Sequence, residues 1–366
     1  EKSPRRSSKS STSTGYILSI TSLPACYAAS TSSPFNVIDL FDKNTLQGIQ
    51  TLEGHKDATT SIRTAVNLGG VVQKCLISSG RDGSIKAWDE RTNSHSIKMT
   101  NLGKTQPLLC CDVSPDGLTV AAGTDLQGEE ASILYCNTFT GSYINALRRY
   151  HHTSFASSKD PETNNNILLS GSTDGLLCTS NADEDDEDEA TIQVAIWAAS
   201  DMETFSTWQS DLDQLLSLDI RSPVLHQRRT WVTDYLITTH SSSHCYPNPT
   251  IFTGSNEGDI AMLSNMNVSV PDAPWGLHKL WTHGHTGVVR SLLWDEENQI
   301  LVTGGEDGKI NSWPIYPVPR DSDETVNDNE DEDEDEAMDV DVSSPKSRKR
   351  DLQRDSKRNG KKAKRW

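Results

Sequence analysis

No stretch of the 366 residues approaches the roughly 20 consecutive apolar positions that a membrane-spanning helix needs. Residues 1–14, EKSPRRSSKSSTST, lack the apolar core of a secretion signal and read as a disordered, basic, Ser-rich segment. The first residue is Glu1 and not Met, so the sequence is expected to begin inside a longer one. The seven cysteines (Cys26, Cys75, Cys110, Cys111, Cys136, Cys178 and Cys245) include no C-x-x-C pair. Most sit in strand-like runs, which points to reduced core residues of an intracellular protein and away from a disulfide framework. A nucleophile elbow, G-x-S-x-G, is absent. His151 and His152, like His240, His244 and Cys245, have no second pair at ligand spacing, which disfavours a metal site. GGEDGK has a Gly-Lys but neither the spacing nor the following helix of a phosphate loop. Neither catalysis nor a cofactor nor a metal is expected.

What the sequence does contain is a repeated unit, clearest at Gly284 to Trp313, GHTGVVRSLLWDEENQILVTGGEDGKINSW. Val288 to Trp294 predicts one short strand, Ile300 to Thr303 a second and Lys309 to Trp313 a third, the last with the alternation of a half-buried strand. His285, Thr303, Asp307 and Trp313 fall where a hydrogen-bonded chain can run through the unit. Trp supplies an N–H that needs a partner when buried, Thr can relay, and Asp accepts from His.

His55, Ser78, Asp82 and Trp88 repeat the set, with the same step of four from hydroxyl to Asp and of six from Asp to Trp. A partial set, His152, Ser170 and Asp174, keeps the gap of 22 residues that separates His285 from Asp307. His, Ser and Asp in this order superficially resemble a hydrolase triad, but a constellation that recurs and ends on Trp marks architecture. On these residues the chain resembles the WD-repeat family, whose units begin near Gly-His and end near Trp-Asp. The resemblance implies an all-β fold of four-stranded blades, a β-propeller. TVAAGTD, ILLSGSTDGLL, WVTDYLITTH and TGSNEGDI are similar to one branch of that family with fungal members, over about Tyr16 to Trp313. No catalytic activity is implied by it.

Seven blade positions are expected within residues 15–319, one or two of them degenerate or incomplete. The first, Tyr16 to Leu52, has no Gly-His and ends in Phe41-Asp42. The third, Pro107 to Arg148, has Cys136-Asn137 where the family has Trp-Asp. The fourth has a poor first strand in TSFASSK (Thr153 to Lys159), and Ser180 replaces its Trp. Four strands plus turns need about 40 residues, so the unit at Ile196 to Trp208 is too short for a full blade. The sixth is expected to start with a strand at Trp231–Ile237, and Glu257 replaces its turn Asp. Closure of the ring is open on the sequence, since residues 1–14 do not look like a strand and the apolar run Ile315–Pro319 has two prolines that suit only an edge.

The formal net charge is −18, and Asp183 to Glu189 contributes seven acids, so basic partners are favoured over a phosphate backbone. Residues 320–366 read as a disordered tail, acidic then basic, with thirteen acids over Asp321 to Asp341 and eleven bases over Lys346 to Arg365. Lys349 and Arg350, then ten residues, then Lys361, Lys362, Lys364 and Arg365 match a two-cluster nuclear import signal, so an import receptor is an expected partner and the nucleus the expected location, with cytoplasm also open. Ser344-Pro345 between the blocks is a candidate phosphosite.

The function expected is a non-catalytic protein-interaction scaffold, with Arg81 and Arg91 as candidate partner contacts. Two alternatives stay open. Trp88-Asp-Glu-Arg91 matches the submotif that contacts a ubiquitin-ligase adaptor, which would make the chain a substrate receptor of a cullin-type ligase. The acidic charge would instead suit an assembly factor or chaperone for basic ribosomal or chromatin proteins. Nucleic acid is expected only through the basic tail, where binding would be strongly salt-dependent.

Overall fold

The computed structural model describes residues 4–11, 15–53, 55–70, 74–89, 95–100, 106–114, 116–126, 131–137, 143–147, 152–155, 167–171, 177–181, 196–199, 204–208, 214–219, 236–243, 250–265 and 275–315. Of the strand at 95–100 and those between 143 and 219 it describes the backbone, with the side chains of Lys98 and Leu168. The chain divides into two units, Glu1–Val318 and Pro319–Trp366. The acidic and basic tail, the import clusters and Arg91 lie outside the described residues, as do the side chains of His152, Ser170 and Asp174.

The described residues form strands and one short 3-10 turn, Leu68–Gly70, with no α-helix among them. Among them no helix is long and apolar enough to cross a membrane. β1 (Arg6–Lys9) comes first in the chain. It is followed by seven groups of consecutive strands. The first sheet is β2 (Ile17–Ser22), β3 (Cys26–Thr31), β4 (Ile38–Asp42) and β5 (Gly48–Leu52). The second is β6 (Thr59–Ala65), β7 (Cys75–Gly80), β8 (Ser84–Trp88) and β9 (His95–Thr100). The third is β10 (Leu108–Val113), β11 (Thr119–Thr124), β12 (Ile133–Asn137) and β13 (Tyr143–Leu147). Two three-stranded sheets follow, β14 (His152–Phe155), β15 (Ile167–Gly171) and β16 (Leu177–Asn181), then β17 (Ile196–Ala199), β18 (Thr204–Trp208) and β19 (Gln214–Asp219). The sixth sheet is β20 (Ile237–Ser243), β21 (Thr250–Ser255), β22 (Ile260–Asn265) and β23 (Trp275–Trp281). The seventh is β24 (Val289–Asp295), β25 (Ile300–Gly305) and β26 (Lys309–Pro314), with β1 along its edge.

Seven small antiparallel meanders are the blades of a β-propeller, and the two three-stranded ones are the fourth and fifth. Neighbouring sheets meet through their first strands: β20 against β24, β24 against β2, β2 against β6, β6 against β10 and β10 against β14.

Residues buried on both faces explain why the strands are apolar without clean alternation. Along β3, Cys26 and Ala28 turn toward Ile62, Leu76 and Trp88 of the second sheet. Tyr27 and Ala29 turn the other way, toward Val302 and Ile310 of the seventh. The second sheet repeats this, with Trp88 toward the first and Ile77, Ile85 and Ala87 toward Cys111, Val120 and Leu134 of the third. The half-buried alternation expected for β26 is therefore wrong: Ile310, Asn311, Ser312 and Trp313 are all buried, because a sheet covers each face.

Disorder over residues 1–14 is likewise wrong at β1. Arg6 pairs with Ser312 and Lys9 with Lys309, while Arg5 N–H donates to the Ser312 carbonyl and Ser10 N–H to Gly308, each at 2.9 Å. An edge strand offers a row of main-chain donors and acceptors to any extended segment, whatever its side chains. The polar sequence RSSK thus gave no sign of the strand. Ile315, expected in an alternative edge, donates its N–H to Gln299. β20 runs from Ile237 to Ser243, and residues 231–235 of the strand expected at Trp231–Ile237 lie outside the described residues.

Candidate functional site

One hydrogen bond recurs at the same end of five sheets. The carbonyl at the start of the first strand accepts the N–H of the turn between the second and third. The donor and acceptor pairs are Ser32 and Tyr16, Arg81 and Ala58, Asp125 and Pro107, Asn256 and Leu236, and Glu306 and Val288, at 2.8–3.0 Å. Neighbouring sheets are tied at these ends too. Arg81 Nη2 lies 3.2 Å from Asp125 Oδ2 across the second and third sheets, and His285 N–H donates to the Gly258 carbonyl across the sixth and seventh.

Two histidines reinforce this end. His55 Nδ1 lies 3.1 Å from Asp82 Oδ1 and its Nε2 2.7 Å from Ser78 Oγ, which accepts the Trp88 indole N–H at 2.8 Å. His285 Nδ1 lies 2.9 Å from Asp307 Oδ1 and its Nε2 2.7 Å from Thr303 Oγ1, which accepts the Trp313 N–H at 3.0 Å. The pairing assigns the tautomer. A carboxylate only accepts, so Nδ1 carries the proton; the hydroxyl, already accepting from Trp, donates to Nε2 of a neutral ring. The chain from indole through hydroxyl and imidazole to carboxylate then has every group satisfied.

Both acids are held by more than histidine. Asp82 Oδ2 accepts from Lys56 N–H, and Oδ1 from Ser84 N–H and Ser84 Oγ. Asp307 accepts from the N–H groups of Thr286 and Lys309. Burial opposes ionisation of Asp307, but the hydrogen bond from His285 and those from the Thr286 and Lys309 N–H groups outweigh it and hold the carboxyl down to about 2. Asp82 is shifted in the same direction, against burial, by His55, Ser84 and Lys56.

Three contributors were not singled out in the sequence. Gly80 and Gly305 lie under the His–Asp bonds: a Cβ on Gly305 would come 2.6 Å from His285 Nδ1 and 3.0 Å from Asp307 Oδ1, and one on Gly80 would collide with His55 Nδ1. The shared pattern SSGRD and TGGED, Gly two residues before each Asp, was the available signal. The third is Ser84, in a position occupied by Lys309 in the other copy.

In the sixth sheet Leu263 stands where the staples have Trp. Thr253 Oγ1, spaced like Thr303, is buried with no partner among the described residues. The turn acid reaching the next segment is Asp259, which accepts the His283 N–H at 3.1 Å. Glu257, which the sequence places at the turn-Asp position of this unit, lies two residues earlier in the same turn.

Among the described residues, Cys75, Cys111 and Cys136 carry free thiols. Burial pushes Cys111 up to about 12, and Cys75 and Cys136 up to about 11, so these thiols are poor nucleophiles. No group of three metal-ligating side chains occurs among the described residues.

Ser78 cannot act as a nucleophile while it bridges Trp88 and His55 at 0% exposure. The chains are therefore staples, and what they hold is a surface. Tyr16, Phe35, Leu126 and Leu236 are 44%, 44%, 51% and 51% exposed, and each lies at a first-strand start or a second-to-third turn of this end. Arg81, 48% exposed at its side chain, stands on the same end. Arg290 pairs there with Glu306.

Residues 46–89 and 277–314 match the family model of the WD domain, G-beta repeat. The chain is 26% identical over 327 residues to the WD repeat-containing protein 89 homolog of Dictyostelium discoideum, over 83% of this chain and 84% of that one. It is 28% identical over 276 residues to an uncharacterized WD repeat-containing protein of Saccharomyces cerevisiae, over 69% and 67% of the two chains. With WD repeat-containing protein GTS1 of Arabidopsis thaliana it shares 22% identity over 313 residues, 78% of each.

Proposed function

We propose that this chain, which carries WD repeats, is a non-catalytic scaffold that binds other proteins through the stapled end of its sheets, and that it works in the nucleus. WD-repeat proteins generally serve as protein-interaction scaffolds. The observation that carries the reading is the set of exposed apolar side chains, Tyr16, Phe35, Leu126 and Leu236, on turns held by the recurring main-chain hydrogen bonds from Ser32 to Tyr16, Asp125 to Pro107 and Asn256 to Leu236. Rigid turns lose little conformational freedom on association, so their contacts translate into affinity. Exposed aromatic and aliphatic groups beside a charged Arg81 suit a protein surface better than a small substrate. The nuclear reading rests on the two basic clusters at Lys349–Arg350 and Lys361–Arg365.

The acidic balance, 52 Asp and Glu against 34 Lys and Arg, favours a second reading in which the partners are basic ribosomal or chromatin proteins awaiting assembly. In the ligase-receptor reading, the submotif Trp88-Asp-Glu-Arg91 would contact the adaptor. Trp88 is buried in its staple and 1% exposed, which leaves Arg91 to make that contact.

The test is isolation of complexes from cells at moderate salt with the full chain, a Phe35→Ser/Leu126→Ser variant, an Arg91→Ala variant and a chain lacking residues 321–366. Loss of most partners in the double variant, with its melting temperature unchanged, is the expected result. A complete partner set in that variant would rule out the stapled end as the binding surface. Histones or ribosomal proteins lost with the tail would support the assembly role, and adaptor subunits lost only in Arg91→Ala the ligase role. Removal of residues 346–366 should also shift the protein from nucleus to cytoplasm, seen by imaging.

A further inference from the structure

The outermost strand of the seventh sheet is held by one side chain of the first. Just past β1, Ser11 N–H donates to Asp39 Oδ2 at 2.8 Å and Ser11 Oγ donates to Asp39 Oδ1 at 2.6 Å. Asp39, the second residue of β4, is 2% exposed, and its Oδ1 also accepts from Thr51 Oγ1 at 2.9 Å. Ser11 itself is exposed. The strand it anchors is weak by construction: four residues, RSSK, with Ser7 and Lys9 facing solvent and no apolar side chain to bury. Ser11 thus ties the edge strand of the last sheet to the first sheet, through a hydroxyl that a modifying enzyme can reach when the strand lifts.

We propose that Ser11 is a phosphorylation site and that its phosphorylation releases β1 from the edge of β26. A protein kinase would transfer the γ-phosphoryl group of ATP: the Oγ–P bond forms, the bond from that phosphorus to the bridging oxygen of departing ADP breaks, and the hydroxyl proton passes to the kinase's base. Lys9, Arg6 and Arg5 precede the serine and offer such a kinase a cationic approach. The product has lost its hydroxyl donor, keeping only the N–H, and carries nearly two negative charges. Those charges face a buried carboxylate whose Oδ1 and Oδ2 both pointed at Ser11, so the segment cannot return to its seat. Released, β1 exposes the main-chain edge of Lys309–Pro314, a row of groups open to another extended segment.

Phosphoserine placed at position 11 of the full chain by genetic encoding tests the effect, and phosphate mapping of the protein from eukaryotic cells tests the site. Amides in peptides covering 5–11 and 309–314 should exchange at least about tenfold faster than in the unmodified chain, as local opening requires. Phosphoserine at position 7, which faces solvent, should leave both peptides protected. Asp39→Asn in the phosphoserine-11 chain should recover part of the protection, because the repulsion is gone. Unchanged exchange with phosphoserine 11, equal acceleration by phosphoserine 7, or no phosphate on Ser11 in the cellular protein would each overturn the proposal.

Discussion

At the scale of residues, the His–Asp–hydroxyl–Trp chains work only as complete sets, since each member leaves a buried partner behind when removed. Asp307→Ala strands the His285 Nδ1 proton and two main-chain N–H groups, and should lower stability by about 1–3 kcal/mol, read as a reduced melting temperature. Acid should probe the same group. Its folded pKa, about 2, lies below the ordinary 3.8, so its contribution is present above about pH 4 and is lost as pH falls through 2. Asp82 acts in the same direction. Denaturant midpoints between pH 5 and 2 should therefore fall less steeply in Asp307→Asn than in the parent. Gly305→Ala should cost about 1–3 kcal/mol, because the His285 ring its Cβ would strike is fixed at both nitrogens. Equal melting temperatures for this variant and the parent would refute the close approach.

Among elements, the joint between the first and seventh sheets has its own polar lock. The Tyr27 hydroxyl donates to Asp295 Oδ2 at 2.7 Å, Lys43 Nζ stands 3.6 Å from the same oxygen, and Asn298 Nδ2 donates to it at 2.8 Å. Burial, with Asp295 as second cause, raises the Tyr27 pKa beyond the range in which the folded protein would titrate. Tyr27→Phe should cost about 1.5–3 kcal/mol, the usual worth of a hydrogen bond to a charged group, measured by equilibrium unfolding. How legible these elements were depended on their side chains. β7 and β25 could be placed because apolar runs and Asp-Gly turns bound them, LISSGRDG and LVTGGEDG. β1 could not, since its stability comes from the vacant edge of a strand some 300 residues away in sequence. β20 was not legible past Ile237 because its residues, ITTHSSS, are polar and one of them, Thr238, donates to the Val289 carbonyl of the next sheet. The staples were legible from two fixed spacings, and the glycines beneath them had a signal in the Gly two residues before each Asp, whose meaning is the close approach of the imidazole.

On the scale of the whole molecule, described sheets share their cores: apolar clusters lie between the seventh and first, the first and second, and the second and third, as with Trp88 against Leu40 and Leu52. Unfolding of the described sheets should then be cooperative, with probes in different sheets giving coincident transitions. A thiol-reactive maleimide at pH 8 should leave Cys111 unlabelled until that transition, because its thiol is fully buried and its pKa is pushed up to about 12. Early labelling of Cys111 would show that the second and third sheets separate before the rest. The pairing of Arg6 with Ser312 also fixes an order of events during synthesis. β1 is translated well before β26, the strand it pairs with, and waits for that partner while some 300 further residues are made. A nascent chain stalled before β24 therefore lacks the partner that β1 needs.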